Sequence, residues 1–258
     1  MRSVCLALET SCRAGGVALA VDGALTAVRR FDASSRHATT LLVHLRELLT
    51  ASGLAPADVT EVYVSVGPGS FTGVRVGVTV ARTLAQAVGG GNAIQTVAVP
   101  TTHVVAENAR TLPWQHLAVI LDAKDDVTYV QLFQRETQDK RQATSDKRQE
   151  KERLVFPKPI GQPRILTPQQ MLAECPRPIT LIGEGIAFHP ALAEPVDGIT
   201  LADTALHLPT AESVYHVGRR LALTHATTDY HILLPIYARK SEAERLWEKK
   251  QRQATSDK

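Results

Sequence analysis

One stretch, Val59 to Gly91, constrains the fold more than any other part of this chain. Val59–Val66 is rich in β-branched residues and reads as a strand. It runs into Gly67-Pro-Gly-Ser-Phe-Thr-Gly73, a turn whose glycines permit positive φ and close backbone approach. A helix follows from about Thr72 to Val88, with Ser70 or Thr72 as cap and Gly89-Gly-Gly91 as the stop. Within it Gly73, Gly77, Ala81 and Ala85 lie four apart and share one face. Each glycine costs a helix about 1 kcal/mol against alanine, so the small residues imply that something approaches closely. Two uses are open. Gly67, Gly69, Ser70, Thr72 and Gly73 can form an anion site at the helix N-terminus. Alternatively the stripe packs, against the chain's own sheet or a partner.

The elements around this unit place it in an α/β frame. Val4–Leu8, Val17–Val21 and Ala24–Phe31 read as three strands, the last two joined by a hairpin at Asp22-Gly23. A helix capped by Ser34 or Ser35 carries Leu41, Leu42, Leu45, Leu48 and Leu49 and ends at Gly53. Ile94–Val99 reads as a strand and Thr101–Ala109 as a helix. After Pro113 the pattern restarts with strands at Leu117–Leu121 and Val127–Phe133. A Thr-Pro helix start falls within Ile165–Leu172, a strand at Ile179–Ile182 precedes Gly183-Glu-Gly185, and a late helix spans about Ala211–Leu223. Residues 134–153 are polar, mixed in charge and nearly devoid of apolar side chains, so they read as a disordered insert. The heptapeptide Arg141–Lys147 recurs identically as Arg252–Lys258, with nothing apolar to pack in either copy.

Composition excludes several classes. The apolar run Val4–Leu8 starts like a signal peptide, but Glu9 interrupts it too early. No run approaches the roughly 20 apolar residues of a membrane span, so a cytoplasmic protein is expected. Cys5, Cys12 and Cys175 have no metal-ligand spacing and read as thiols of a reducing compartment. The net charge is +3. Seven basic and four acidic residues from Arg239 onward account for it, leaving no basic excess in the rest of the chain to grip nucleic acid unaided.

The segment Gly67–Ala85 closely resembles the hallmark of the TsaB (YeaZ) family of tRNA threonylcarbamoyladenosine accessory proteins. Leu6-Ala-Leu-Glu-Thr-Ser11, Val119-Ile-Leu-Asp-Ala123, Val127–Phe133, Leu181-Ile-Gly-Glu-Gly185 and Leu234-Pro-Ile-Tyr-Ala-Arg239 are similar to its other landmarks. The resemblance implies an actin-like (ASKHA, ribonuclease H-like) two-lobe fold with mixed sheets flanked by helices. One lobe would span 1–110 with a returning helix at 209–225. The second would span 111–208, followed by a charged tail at 240–258. It also implies a non-catalytic scaffold with no cofactor of its own, in a complex whose other subunits use ATP and a metal. The implied partners are a TsaD homologue, a TsaE-type ATPase and a second copy of the chain, with tRNA met only through the complex. Leu42, Leu45, Val74, Val78 and Ala81, on the two early helices, are the expected interface.

Catalytic readings fare poorly on the residues. An actin-like ATPase or small-molecule kinase is the alternative, and it calls for two glycine-bearing turns around the phosphates. The first turn, Glu9–Gly15, has a glycine; the second, Asp122-Ala-Lys-Asp-Asp126, has none. The catalytic relative has two histidines four apart. Here His37 and His44 are seven apart, about 10 Å along a helix, too far for one tetrahedral metal. Ser70 lies outside a Gly-x-Ser-x-Gly elbow, and nothing pairs it with His103.

Overall fold

The computed structural model describes residues 2–32, 37–88, 94–136, 156–239 and 247. The three opening strands form as expected: β1 (Val4–Glu9), β2 (Gly15–Val21) and β3 (Ala24–Phe31). They pair antiparallel in sequence order. Helix α1 (His37–Ala51) then leads to β4 (Glu61–Ser65), α2 (Phe71–Val88), β5 (Gln95–Val99) and α3 (Thr101–Asn108). β4 joins β1 in parallel and β5 joins β4, giving the order β3-β2-β1-β4-β5. Ser34 and Ser35, the expected caps of α1, lie outside the described residues.

The second half repeats this plan. β6 (His116–Asp122), β7 (Thr128–Glu136) and β8 (Phe156–Leu166) pair antiparallel, and β9 (Ile179–Ile182) and β10 (Ile199–Leu201) add in parallel beside β6. The order β10-β9-β6-β7-β8 is the first sheet's order again. Two copies of one five-stranded mixed sheet, each with helices against it, constitute the actin-like fold.

Three elements differ from the sequence reading, the short β10 being one that it does not contain. β7 continues through Glu136, so residues 134–136 are paired strand rather than insert. The rest of the stretch and both heptapeptide copies lie outside the described residues, as does the tail apart from Trp247. β8 contains Pro157, Pro159 and Pro163, which argue against a strand in a sequence. It forms because, among the described residues, it is an edge strand paired with β7 alone, where an absent N–H breaks no second ladder. The Thr-Pro start is real: α4 (Pro168–Glu174) has Thr167 accepting from the Gln170 N–H, while the Gln170 side chain bonds back to Thr167.

The helix after each sheet packs on the other one. α3 follows β5 and keeps Val104 in the first sheet's core, yet places Val105 and Ala106, with Ala109 just beyond its end, in a core with Leu117, Val119 and Phe133 of the second sheet. α5 (Ala211–Leu223) follows β10 and buries Val214, Tyr215 and Val217 against Cys5, Ala18, Tyr63 and Val97 of the first. The two exchanged helices are tied together by Glu107 of α3, which is buried and pairs with Arg220 of α5 at 2.6 Å and Arg110 at 3.6 Å. Arg220→Met is expected to cost about 2 kcal/mol in urea denaturation, because a buried carboxylate loses its nearer cation and Arg220 is itself only partly exposed.

Candidate functional site

The cleft between the lobes gathers the turn after β1, the glycine-rich entry to α2, the turn after β6 and Gly183-Glu-Gly185. Hydrogen bonds join the first two through Ser11 and Ser70 and the last two through Asp122 and Glu184, and the chain from Ile236 to Arg239 links Val66 to Asp125.

The glycine-rich entry is filled by the first turn. The Ser70 N–H donates to the Ser11 carbonyl at 2.6 Å, and the Thr10 hydroxyl donates to the Gly73 carbonyl at 2.8 Å. A Cβ on Gly69 would sit 2.2 Å from the Ser11 carbonyl oxygen, and one on Gly73 would sit 2.0 Å from that of Thr10. On Gly77 it would meet the Thr10 hydroxyl at 2.3 Å. The small-residue stripe therefore lets α2 lie directly on the chain's own first turn. Ser70 caps the helix through its hydroxyl, which accepts from the Gly73 N–H at 3.2 Å. Of the anion site expected at Gly67, Gly69, Ser70, Thr72 and Gly73, the Ser70 and Gly73 amides are already bonded within the chain, while Thr72 is exposed.

Glu9 lies beneath this turn, fully buried, with its Oε1 accepting from the Ser11 N–H at 2.5 Å and the Ser11 hydroxyl at 2.6 Å. Burial pushes its carboxyl above the ordinary 4.5, and the bonds from Ser11 pull it back only in part. The native state then holds this proton more tightly than the unfolded chain. Its contribution to stability is full below pH 4.5, falls as pH rises towards the folded value and is flat above it. Glu9→Gln is expected to remove that fall, as read from urea midpoints across the pH range.

The second turn is closed by its own side chains. Asp122 Oδ1 accepts the Lys124 N–H at 3.0 Å, and its Oδ2 pairs with the Lys124 ammonium at 2.5 Å. His189 approaches Oδ1 at 3.4 Å, and the Asp122 N–H donates to Glu184 at 3.3 Å. Partial burial raises the Asp122 carboxyl, but the Lys124 N–H and ammonium outweigh it and hold the group below its ordinary value. Lys124, Asp125 and Asp126 all take positive φ, at 62°, 52° and 58°, a conformation that glycine would adopt without strain. The second turn thus sets Asp122, Asp125 and Glu184 beside Lys124 and Arg239. The cations nearest the second turn are already paired, Lys124 with Asp122 and Arg239 with Asp125.

A C-terminal strap crosses the cleft. The Ile236 N–H donates to the Val66 carbonyl at 2.6 Å, the Tyr237 ring stacks on Phe71 with centroids 4.8 Å apart, and Arg239 pairs with Asp125 at 2.7 Å. Gly67, at φ +99°, would place a Cβ 2.3 Å from the Ile236 carbonyl oxygen, so the strap needs that glycine. Ile236, Tyr237 and Arg239 went unassigned from local pattern because a hydrogen-bonded strap has no period. Their available signal is the Leu234-Pro-Ile-Tyr-Ala-Arg239 landmark.

The helix-face residues separate cleanly. Leu45, Val74, Val78 and Ala81 are 4%, 0%, 3% and 0% exposed, inside the first lobe's core. They are not available to a partner, which corrects that part of the expected interface. Leu42 is 53% exposed, next to Val43 at 48%. On α2 the outer face carries Phe71, Thr72, Arg75, Val76, Thr79 and Val80, with the Arg75 guanidinium 5.3 Å from the Phe71 ring centre. His44 bonds Glu47 at 3.1 Å and stacks on Phe31, while the side chain of His37 lies outside the described residues. His103 packs edge-on against Phe133, and burial lowers its pKa to about 4. Among the described residues no three His, Cys, Asp or Glu side chains form a group able to hold a metal, and no helix is long and apolar enough to cross a membrane.

Comparison with known proteins agrees with this geometry. A family model described as "TsaD: tRNA N6-adenosine threonylcarbamoyltransferase" matches residues 31–247. The chain is 28% identical over 244 residues to the tRNA threonylcarbamoyladenosine biosynthesis protein TsaB of Bacillus subtilis, covering 94% of this chain and 96% of that protein. It is 27% identical over 246 residues to its Escherichia coli namesake, with 95% and 96% covered. The solved structure of YeaZ from Pseudomonas aeruginosa superposes with a TM-score of 0.72 at 25% identity, covering 91% of this chain and 99% of that one. With the duplicated sheet and the glycine-lined α2 entry, these matches show that the chain belongs to the TsaD-like family and, within it, to the TsaB (YeaZ) proteins of tRNA threonylcarbamoyladenosine biosynthesis.

Proposed function

We propose that this protein is a non-catalytic scaffold subunit of the complex that places the threonylcarbamoyl group on a tRNA adenosine. It holds a TsaD homologue, which carries the metal, and helps recruit a TsaE-type ATPase. The observation that carries this reading is the outward apolar surface of the α1–α2 pair. Leu42, Val43 and Phe71 stand exposed on two helices whose inner faces are already full. The buffered turns at Ser11 and Asp122 support the same reading, since they occupy with protein atoms the places where an actin-like ATPase cradles phosphates.

The occupant of that surface is the catalytic homologue. A second copy of this chain is the competing outcome, and the same helices would serve both. Sedimentation of the purified chain alone and with the homologue separates them. The expected result is a one-to-one complex that displaces any self-association. Mg-ATP titration of the isolated chain tests the enzymatic alternative, and saturable binding with turnover through further purification would overturn the scaffold reading.

A further inference from the structure

The C-terminal ends of β1, β4 and β5 face the cleft. Their N-terminal ends frame a second cavity of about 470 Å³, bounded by the β2–β3 turn at Asp22-Gly23 and the last turns of α5. Cys5, Glu61, Tyr63, Gln95, Tyr215 and Arg219 are among its lining residues.

This cavity holds two opposite charges that do not pair. Glu61 Oε1 accepts from the Ser3 hydroxyl at 2.6 Å, and Oε2 accepts from the Tyr63 hydroxyl. The Arg219 Nη1 donates to the Gly23 carbonyl and lies 3.3 Å from the Tyr215 hydroxyl, which itself donates to that carbonyl at 2.8 Å. Both side chains line this one cavity. Yet among the described ion pairs neither is the other's partner. The buried Tyr63 and Tyr215 rings, stacked with centroids 6.3 Å apart, line the same cavity. Each charge is used on one side only. A carboxylate offers about four acceptor positions and Glu61 uses two; a guanidinium has about five N–H donors and Arg219 uses those of one nitrogen.

We propose that this cavity is a binding site for a small zwitterion of the amino-acid class, its carboxylate on the Arg219 guanidinium and its ammonium on Glu61. A fixed guanidinium suits a planar carboxylate, an oriented carboxylate suits an ammonium, and the Gln95 amide is at hand for a polar substituent. The site lies at the far end of the first sheet from the cleft and is independent of the scaffold role.

The test is a titration of the full chain with a panel of free L-amino acids, followed by ring resonances of ¹³C-labelled tyrosine. At least one member is expected to saturate near or below about 1 mM, moving the Tyr63 and Tyr215 signals together. Its N-acetyl and carboxamide derivatives, each lacking one charge, are expected to bind about tenfold more weakly or worse. Arg219→Met, at an exposed α5 position, is expected to weaken binding by the same factor with the circular dichroism unchanged; Glu61→Gln gives the matching result for the ammonium. No saturation by any member on folded protein, or equal binding of the single-charge derivatives, overturns the proposal.

Discussion

Gly73→Ala is expected to destabilise this protein by about 3 kcal/mol, although the same change in an ordinary helix interior stabilises by about 1 kcal/mol. The reversal comes from one contact. The new methyl carbon would lie 2.0 Å from the Thr10 carbonyl oxygen, a backbone atom with no rotamer to change. Moving it would also stretch the bond from the Thr10 hydroxyl to the Gly73 carbonyl and disturb the turn above buried Glu9. Urea denaturation checks this: the midpoint should drop at constant slope. Thr79→Ala, on the exposed side of the same helix, should change stability by no more than about 0.5 kcal/mol. A neutral or stabilising Gly73→Ala would mean that the stripe does not pack on the first turn.

The second large effect separates binding from folding on α1. Leu45→Ala is expected to cost about 3 kcal/mol of stability, since Leu45 is 4% exposed within the first core. Leu42→Glu, at a site 53% exposed, should leave stability within about 0.5 kcal/mol. The same variant should lower affinity for the catalytic homologue by about 100-fold, because a carboxylate without a counter-charge would be desolvated in an apolar contact. Calorimetric titration against the homologue reads the affinity, and thermal unfolding of the free chain reads the stability. Unchanged affinity of Leu42→Glu would remove this part of α1 from the interface.

Much of the frame was legible because it is local. The strand-turn-helix unit at 59–88, the Asp22-Gly23 hairpin and the capping box at Thr167 each follow from residues a few positions apart. The inner and outer faces of α1 and α2 were not separated, because periodicity shows that Leu41, Leu42, Leu45 and Leu48 recur without showing which of them the sheet covers. Leu42 sits one position from buried Leu41, about 100° around the helix, and that angle decides its fate. β8 was hidden by its prolines, which only an edge position tolerates. The glycine stripe signals a close approach, but its partner, the turn at Thr10 and Ser11, lies about sixty residues upstream and carries no local mark of the contact.

The exchange of α3 and α5 between the sheets has a consequence during synthesis. The ribosome delivers the first sheet complete at Val99, yet the layer that shields one side of it, α5, is not translated until Leu223. For more than a hundred residues Cys5, Ala18, Tyr63 and Val97 lack the cover of α5, while α3, with only Val104 set in this core, holds Val105 and Ala106 for a sheet that does not yet exist. Neither half can be cut free as a finished body, and the bare face of the first sheet stays open to misassociation until α5 is made.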